Sequence, residues 1–94
     1  MNVTLGGTEY RDVEVRRNGR YADGSPAIQL WDAQGPLATA TVWLPEPPAE
    51  GCVWIKDWSE NEGMLDSLAL AGVIEVTGRV APTGYVVAHE GRLL

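Results

Sequence analysis

The sequence predicts an α+β fold, a mostly antiparallel β-sheet of about five to six strands with one α-helix, over about residues 60–71, packed on one face. Three observations lead there. Short runs in which apolar and polar residues alternate recur along the chain, and Gly- and Pro-rich turn sequences separate them. Only one segment carries apolar residues at helical spacing, with Met64, Leu65, Leu68 and Ala71 close to one stripe. That stripe has to be buried, and the sheet supplies the face that buries it.

Taken in order, Val3 to Leu5 predicts a short strand broken by Gly6-Gly7. From Arg11 to Arg17, Val13 and Val15 alternate with Asp12, Glu14 and Arg16, the pattern of a half-buried strand. Asn18-Gly19 predicts a type I′ hairpin turn, because both residues accept positive φ, and Tyr21 starts the return strand. Asp23-Gly24-Ser25-Pro26 predicts a second turn or a longer loop. Ala27 to Asp32 and Leu37 to Leu44 predict a hairpin across Ala33-Gln34-Gly35-Pro36. In its first strand Ile28 and Leu30 oppose Gln29 and Trp31. In its second, Ala38, Ala40, Val42 and Leu44 oppose Leu37, Thr39, Thr41 and Trp43.

Pro45 to Gly51 contains three prolines and cannot continue a strand, so it predicts a rigid exposed connector. Cys52 to Lys56 resumes a strand, with Val53 and Ile55 opposite Cys52 and Trp54. Ser59 and Glu62 have the S-x-x-E spacing of a capping box, and Glu60 and Glu62 place negative charge on the first helical turn. Gly63 costs roughly 1 kcal/mol against Ala inside a helix, which suggests that something, a partner or only a neighbouring strand, approaches that first turn closely. Gly72 is a natural residue just past the helix end. Ile74 to Val80 and Tyr85 to His89 predict the last two strands, joined by a turn at Ala81-Pro82-Thr83-Gly84. Glu90 to Leu94 is a tail that adds to an edge.

Length and composition narrow the function classes. Ninety-four residues make a single domain, 1–94. The net charge of −6 argues against direct nucleic-acid binding, which relies on clustered Lys and Arg, and favours encounter with basic protein surfaces. No apolar run approaches the roughly 18 residues of a membrane span, so no membrane is expected as a partner. Met1 to Gly7 lacks the features of a signal peptide, and a cytoplasmic location is expected. Cys52 is the single cysteine, which excludes an intrachain disulfide and a multi-thiolate metal site. No motif calls for a cofactor. Cys52 and His89 make a formal nucleophile–base pair without supporting spacing, and the expectation is a protein that is not an enzyme.

Two groups of residues are candidates for partner binding. Asp57, Glu60, Asn61 and Asp66 form an acidic helix start, with Glu62 assigned to the cap; the structural alternative is a capped helix with a solvated face. Trp31, Trp43 and Trp54 alternate away from the apolar strand faces and would form one exposed indole-bearing face, since Trp is a frequent hot-spot residue. The alternative is that other segments cover that face. The one basic cluster, Arg16-Arg17-Asn18-Gly19-Arg20, lies at a predicted hairpin tip, where it suits a soluble turn that discourages edge pairing.

Three stretches carry a resemblance: Ala27-Ile28-Gln29-Leu30, then Ala38 to Pro45, then Ile55-Lys56-Asp57-Trp58-Ser59-Glu60-Asn61-Glu62-Gly63-Met64-Leu65. With Thr77-Gly78-Arg79, Pro82 and Gly84 they resemble a family of small proteins carried by bacterial phages, plasmids and conjugative elements, over roughly residues 21–85. A polar Asn is commoner in that family where Trp43 stands. The resemblance implies a non-catalytic protein that binds and occludes a host defence protein with a basic surface, such as a CRISPR–Cas effector, as some anti-CRISPR proteins do. The alternative is a structural or regulatory accessory of such an element that self-associates as a homodimer through the Trp face.

Overall fold

The computed structural model describes residues 1–94. The chain runs through β1 (Val3–Leu5), β2 (Thr8–Tyr10), β3 (Glu14–Arg20), β4 (Pro26–Asp32) and β5 (Gly35–Thr39). After a proline-rich connector come β6 (Cys52–Ile55), a 3-10 turn (Ser59–Asn61), α1 (Met64–Leu70), β7 (Ile74–Thr83) and β8 (Val86–Leu93). The fold is α+β, as the alternation predicts. The single sheet is corrected to three antiparallel ones: β1-β2, β3-β4-β5 and β6-β8-β7.

The two larger sheets are joined where the predicted strand Leu37–Leu44 breaks. The Ala40 N–H still donates to the Ile28 carbonyl at 2.8 Å, but the Ala40 carbonyl accepts from the Lys56 N–H at 2.9 Å. The Val42 N–H then donates to Trp54, and Thr41 pairs with Ile55. The chain thus leaves β4 and takes up β6 as its partner. Ala40, small and fully buried, sits at the change of partner. The switch brings Ile28 and Leu30 of β4 and Val53 and Ile55 of β6 into one core, with Met64 and Leu68 of α1, Ile74 of β7, and Val3, Leu5 and Val13. A flat sheet under a two-turn helix would leave much of this apolar surface in water.

The turns differ from the sequence expectation for definable reasons. Gly6 and Gly7, with φ of 57° and 84°, form the β1–β2 hairpin turn. Asn18-Gly19 is not a turn: β3 runs through it with a bulge, and the chain reverses at Tyr21–Ser25, where the Tyr21 N–H donates to the Ser25 carbonyl at 2.9 Å. A Cβ on Gly19 would lie 2.8 Å from the Ala27 carbonyl oxygen, so that glycine serves close strand approach. β7 continues through Ala81-Pro82, which an edge strand tolerates. β8 is the central strand of its sheet, so residues 90–93 are interior and not an edge tail.

The helix is shorter and starts differently. Ser59 has φ of 57° and forms no capping box; the Glu62 N–H donates to the Ser59 backbone carbonyl. Gly63, at φ of 99°, separates the 3-10 turn from α1. The cap is Asp57, whose Oδ1 accepts from the Gly63 and Leu65 N–H groups, both at 3.0 Å. The approach expected at Gly63 is that of β1. A Cβ there would collide with the Thr4 carbonyl, and the Gly6 N–H donates to the Glu62 carbonyl at 2.9 Å.

Candidate functional site

Strand alternation on β6 turns Trp54 away from Val53 and Ile55, as predicted, but that side is covered. Trp54 is 2% exposed in a second small core with Ala81 and Ala88, flanked by Val42, Leu44 and Trp58. Its Nε1–H donates to the Glu46 carbonyl at 2.8 Å, and the Arg79 guanidinium carbon lies 5.2 Å from the ring centroid. Trp54 is therefore a core residue and not a partner contact. Trp31 is half-buried on the outer side of β4. The Arg16 guanidinium covers it at 3.8 Å from the centroid, and its Nε1–H donates to Gln29 Oε1 at 3.2 Å. Trp43, beyond the strand break, is 50% exposed. The expected three-indole face is not formed, because the break at Ala40 and the proline-rich connector place the three rings in different surroundings.

The acidic group divides as well. Asn61 is 2% exposed and its Nδ2 donates to the Thr39 carbonyl at 2.7 Å, so it ties the 3-10 turn to β5 and is unavailable to a partner. Asp57 is half-buried and occupied as the helix cap. Glu60 is exposed, and Lys56 Nζ donates to its Oε1 at 2.7 Å. That bond first, with backbone and Ser59 donors, holds the Glu60 carboxyl down to about 2. Asp66 is exposed and lines a shallow depression with Thr4, Gly6, Gly7 and Ser67. Glu60 lines a different groove, shared with Lys56, Tyr21, Thr41 and Trp43.

Trp43 is thus the one exposed tryptophan, and it stands between two depressions. On its other side lies a cavity of about 50 Å³, walled by the Tyr21–Pro26 loop, Leu44, Pro47 and Pro48. The loop is fixed by its own hydrogen bonds. The Tyr21 and Thr41 hydroxyls share a 3.0 Å bond. Asp23 Oδ1 accepts from the Ser25 N–H at 2.9 Å and the Ser25 hydroxyl at 2.6 Å, while Asp23 Oδ2 accepts from Trp43 Nε1 at 2.9 Å. The Ser25 hydroxyl, then the Trp43 indole, hold the Asp23 carboxyl at about 2. The exposed indole therefore bonds one carboxylate, Asp23, and shares a groove with a second, the Lys56-paired Glu60, and both stay ionised well into acid.

Asp23 was not a candidate on the sequence, where it marks a turn. The available signal was the Asp-x-Ser spacing, which lets an Asp side chain cap its own loop. Glu90 was missed too. It is 3% exposed and accepts from the Ala49 N–H, the Thr77 hydroxyl and Arg79 Nη1 at 2.9, 2.7 and 3.0 Å. Burial alone would raise its pKa, but these donors outweigh burial and lower it. Cys52 is buried nearby, its thiol pushed up by burial and then by the Glu90 charge, which disfavours the nucleophilic thiolate. Along β6, Cys52 pairs with Arg92 and Ile55 with His89, so the formal Cys52/His89 pair is not assembled. Arg17 of the basic cluster donates to the Leu94 carbonyl at 2.8 Å, which ties that cluster to the chain end and not to a hairpin tip.

No three His, Cys, Asp or Glu side chains converge as metal ligands. No helix is long and apolar enough to cross a membrane. Comparison of the chain with protein-family models, curated proteins and solved structures finds no match.

Proposed function

We propose that this chain is a non-catalytic binding protein that covers a basic surface of a protein partner, with Trp43 at the centre of the contact and Asp23 and Glu60 beside it. The observation that carries this reading is the half-exposed Trp43 indole, which bonds the ionised Asp23 carboxylate and shares a groove with the ionised Glu60. A rigid aromatic anchor supplies contact area at low entropic cost, and flanking charge steers and orients a basic partner. The finer reading is that of a mobile-element protein that inhibits a host defence, with a CRISPR–Cas effector as the basic partner. It draws on the sequence resemblance. Several of the residues that carry that resemblance have structural work here: Ile28 and Leu30 fill the core, Asp57 caps α1, Asn61 is buried and Gly63 admits Thr4. Partner choice would then lie with Trp43, where this chain departs from the family pattern.

The test is plaque formation by a CRISPR-targeted phage with and without the gene, and with Trp43→Ala. The expected result is restored plaquing that Trp43→Ala abolishes while circular dichroism stays unchanged. No effect of the gene on plaquing would remove the host-defence reading. A second reading, a self-associating accessory of a mobile element, is favoured by one observation. β7 is an edge strand on which Val76 and Val80 are exposed, next to Val87 and Tyr85. Sedimentation equilibrium separates the two readings, since a monomer at high concentration rules out the second.

A further inference from the structure

Three indoles in this molecule hold their Nε1–H in a hydrogen bond: Trp31 to Gln29, Trp54 to the Glu46 carbonyl and Trp43 to Asp23. Two of the three also carry an arginine over the ring. Arg16 lies over Trp31 and donates to Glu14 at 3.3 Å. Arg79 lies over Trp54 and donates to Glu46 and Glu90 at 3.2 and 3.0 Å. The recurring unit is an indole whose face takes a guanidinium while a neighbouring carboxylate takes the guanidinium N–H. Around Trp43 the indole and the carboxylate are present, and no arginine of the chain occupies the ring.

We infer that the Trp43–Asp23 pair is a binding site for an arginine side chain presented by a protein partner. This inference rests on the reading of the chain as a protein that covers a basic surface, and it names the group recognised. The carboxylate has capacity left. A carboxylate offers about four acceptor sites, and the Ser25 N–H, the Ser25 hydroxyl and Trp43 use three of those on Asp23. It remains ionised down to about pH 2, so it carries its charge wherever a guanidinium meets it. The adjoining cavity of about 50 Å³ exceeds the ~10–15 Å³ that one water needs. It admits a group of a few heavy atoms and no large ligand. Arginine fits better than lysine because its planar cation stacks on an indole and donates from its edge at the same time. The chain shows the contrast itself: Lys56, its one lysine, shares the groove with Trp43 yet pairs with Glu60 and is not placed over the ring.

The test uses the full chain and the tripeptide Ac-Gly-Arg-Gly-NH2, with its lysine and citrulline counterparts, followed in the indole Nε1–H region of a 1H–15N spectrum. Four signals are expected, one per tryptophan. The arginine peptide should displace the Trp43 signal saturably and leave the other three in place. Citrulline keeps the shape and removes the charge, and it should bind about tenfold more weakly, as should the arginine peptide to Asp23→Asn, in line with the loss of one charge-assisted hydrogen bond. The lysine peptide should also bind more weakly than arginine. Should Asp23→Asn disorder the loop, Trp43→Leu gives the same reading through the Asp23 and Ser25 amide signals, whose displacement by arginine should weaken by a similar factor. Equal binding of arginine and citrulline, or no saturable displacement at Trp43, overturns the inference and leaves partner occlusion standing. Arginine selectivity at Trp43 with no effect of the gene on plaquing supports the site while the host-defence reading falls.

Discussion

Asp57 and Gly63 decide how the only helix begins. The Asp57 carboxylate satisfies two N–H groups at once, and no other side chain caps that end. Asp57→Ala should therefore destabilise by about 0.5–2 kcal/mol, whereas Ser59→Ala, which removes no capping bond, should leave the urea midpoint close to wild type. A larger loss from Ser59→Ala than from Asp57→Ala would reverse the assignment. Gly63→Ala should cost about 1–3 kcal/mol or more, because it strains a left-handed residue and drives a methyl into the Thr4 carbonyl. The sequence made half of this legible. A glycine inside a helical pattern asks for close approach, and β1 supplies it. The S-x-x-E spacing misled because a capping box needs extended backbone at Ser59 and helical backbone through Glu62, whereas Ser59 sits at φ of 57° and Glu62 at ψ of 124°. The same limit hid Asp23: its partners Ser25 and Trp43 meet it only after the chain has reversed at Tyr21–Ser25 and broken at Ala40.

Among the elements, the proline-rich connector is exposed, as its composition suggests, and it is anchored by β8 and β7. Glu90 accepts the Ala49 N–H, Arg79 bridges Glu90 and Glu46, and the Trp54 indole donates to the Glu46 carbonyl. Trp54→Ala should cost about 3–5 kcal/mol by chemical denaturation, against little for Trp43→Ala, whose ring is half in water. The Glu90 pKa is lowered in the folded chain, so the proton binds the unfolded state more readily. The stabilisation from ionised Glu90 is complete above the unfolded glutamate value of about 4.3 and is lost as pH falls from there through the lower folded value. Glu90→Gln should be less stable than wild type at neutral pH and should lose less on acidification below that point. Parallel acid-unfolding curves for the two proteins would show that Glu90 titrates as it does in the unfolded chain. None of this was legible at Glu90-Gly91-Arg92, whose polar composition suits a tail. The burial of its carboxylate depends on donors at Ala49, Thr77 and Arg79, which only the assembled sheet brings together.

At the scale of the molecule, period-two alternation was enough to predict strands at β4 and β6, and helical spacing predicted a helix over about residues 60–71, of which Met64–Leu70 forms, because those apolar faces are buried by one shared core. Sheet number was not, since no local pattern says that a strand changes partner at Ala40. The charge distribution follows from the same assembly. Glu60 shares a groove with Trp43, while Asp66 lines a separate depression beside β1. Near physiological ionic strength a charge acts on an approaching partner over about 8 Å, so position should matter more than net charge. Glu60→Lys should slow association with the proposed basic protein partner and flatten its dependence on salt, since it reverses the field beside the proposed contact and loses the Lys56 pair. Asp66→Lys changes the net charge by the same amount and should change the rate far less. Both variants should keep the wild-type circular dichroism, because neither residue is buried. Stopped-flow association rates across a salt series make the comparison. Equal slowing by the two substitutions would mean that the overall charge of −6 steers encounter and that the Trp43 groove has no privileged role in it.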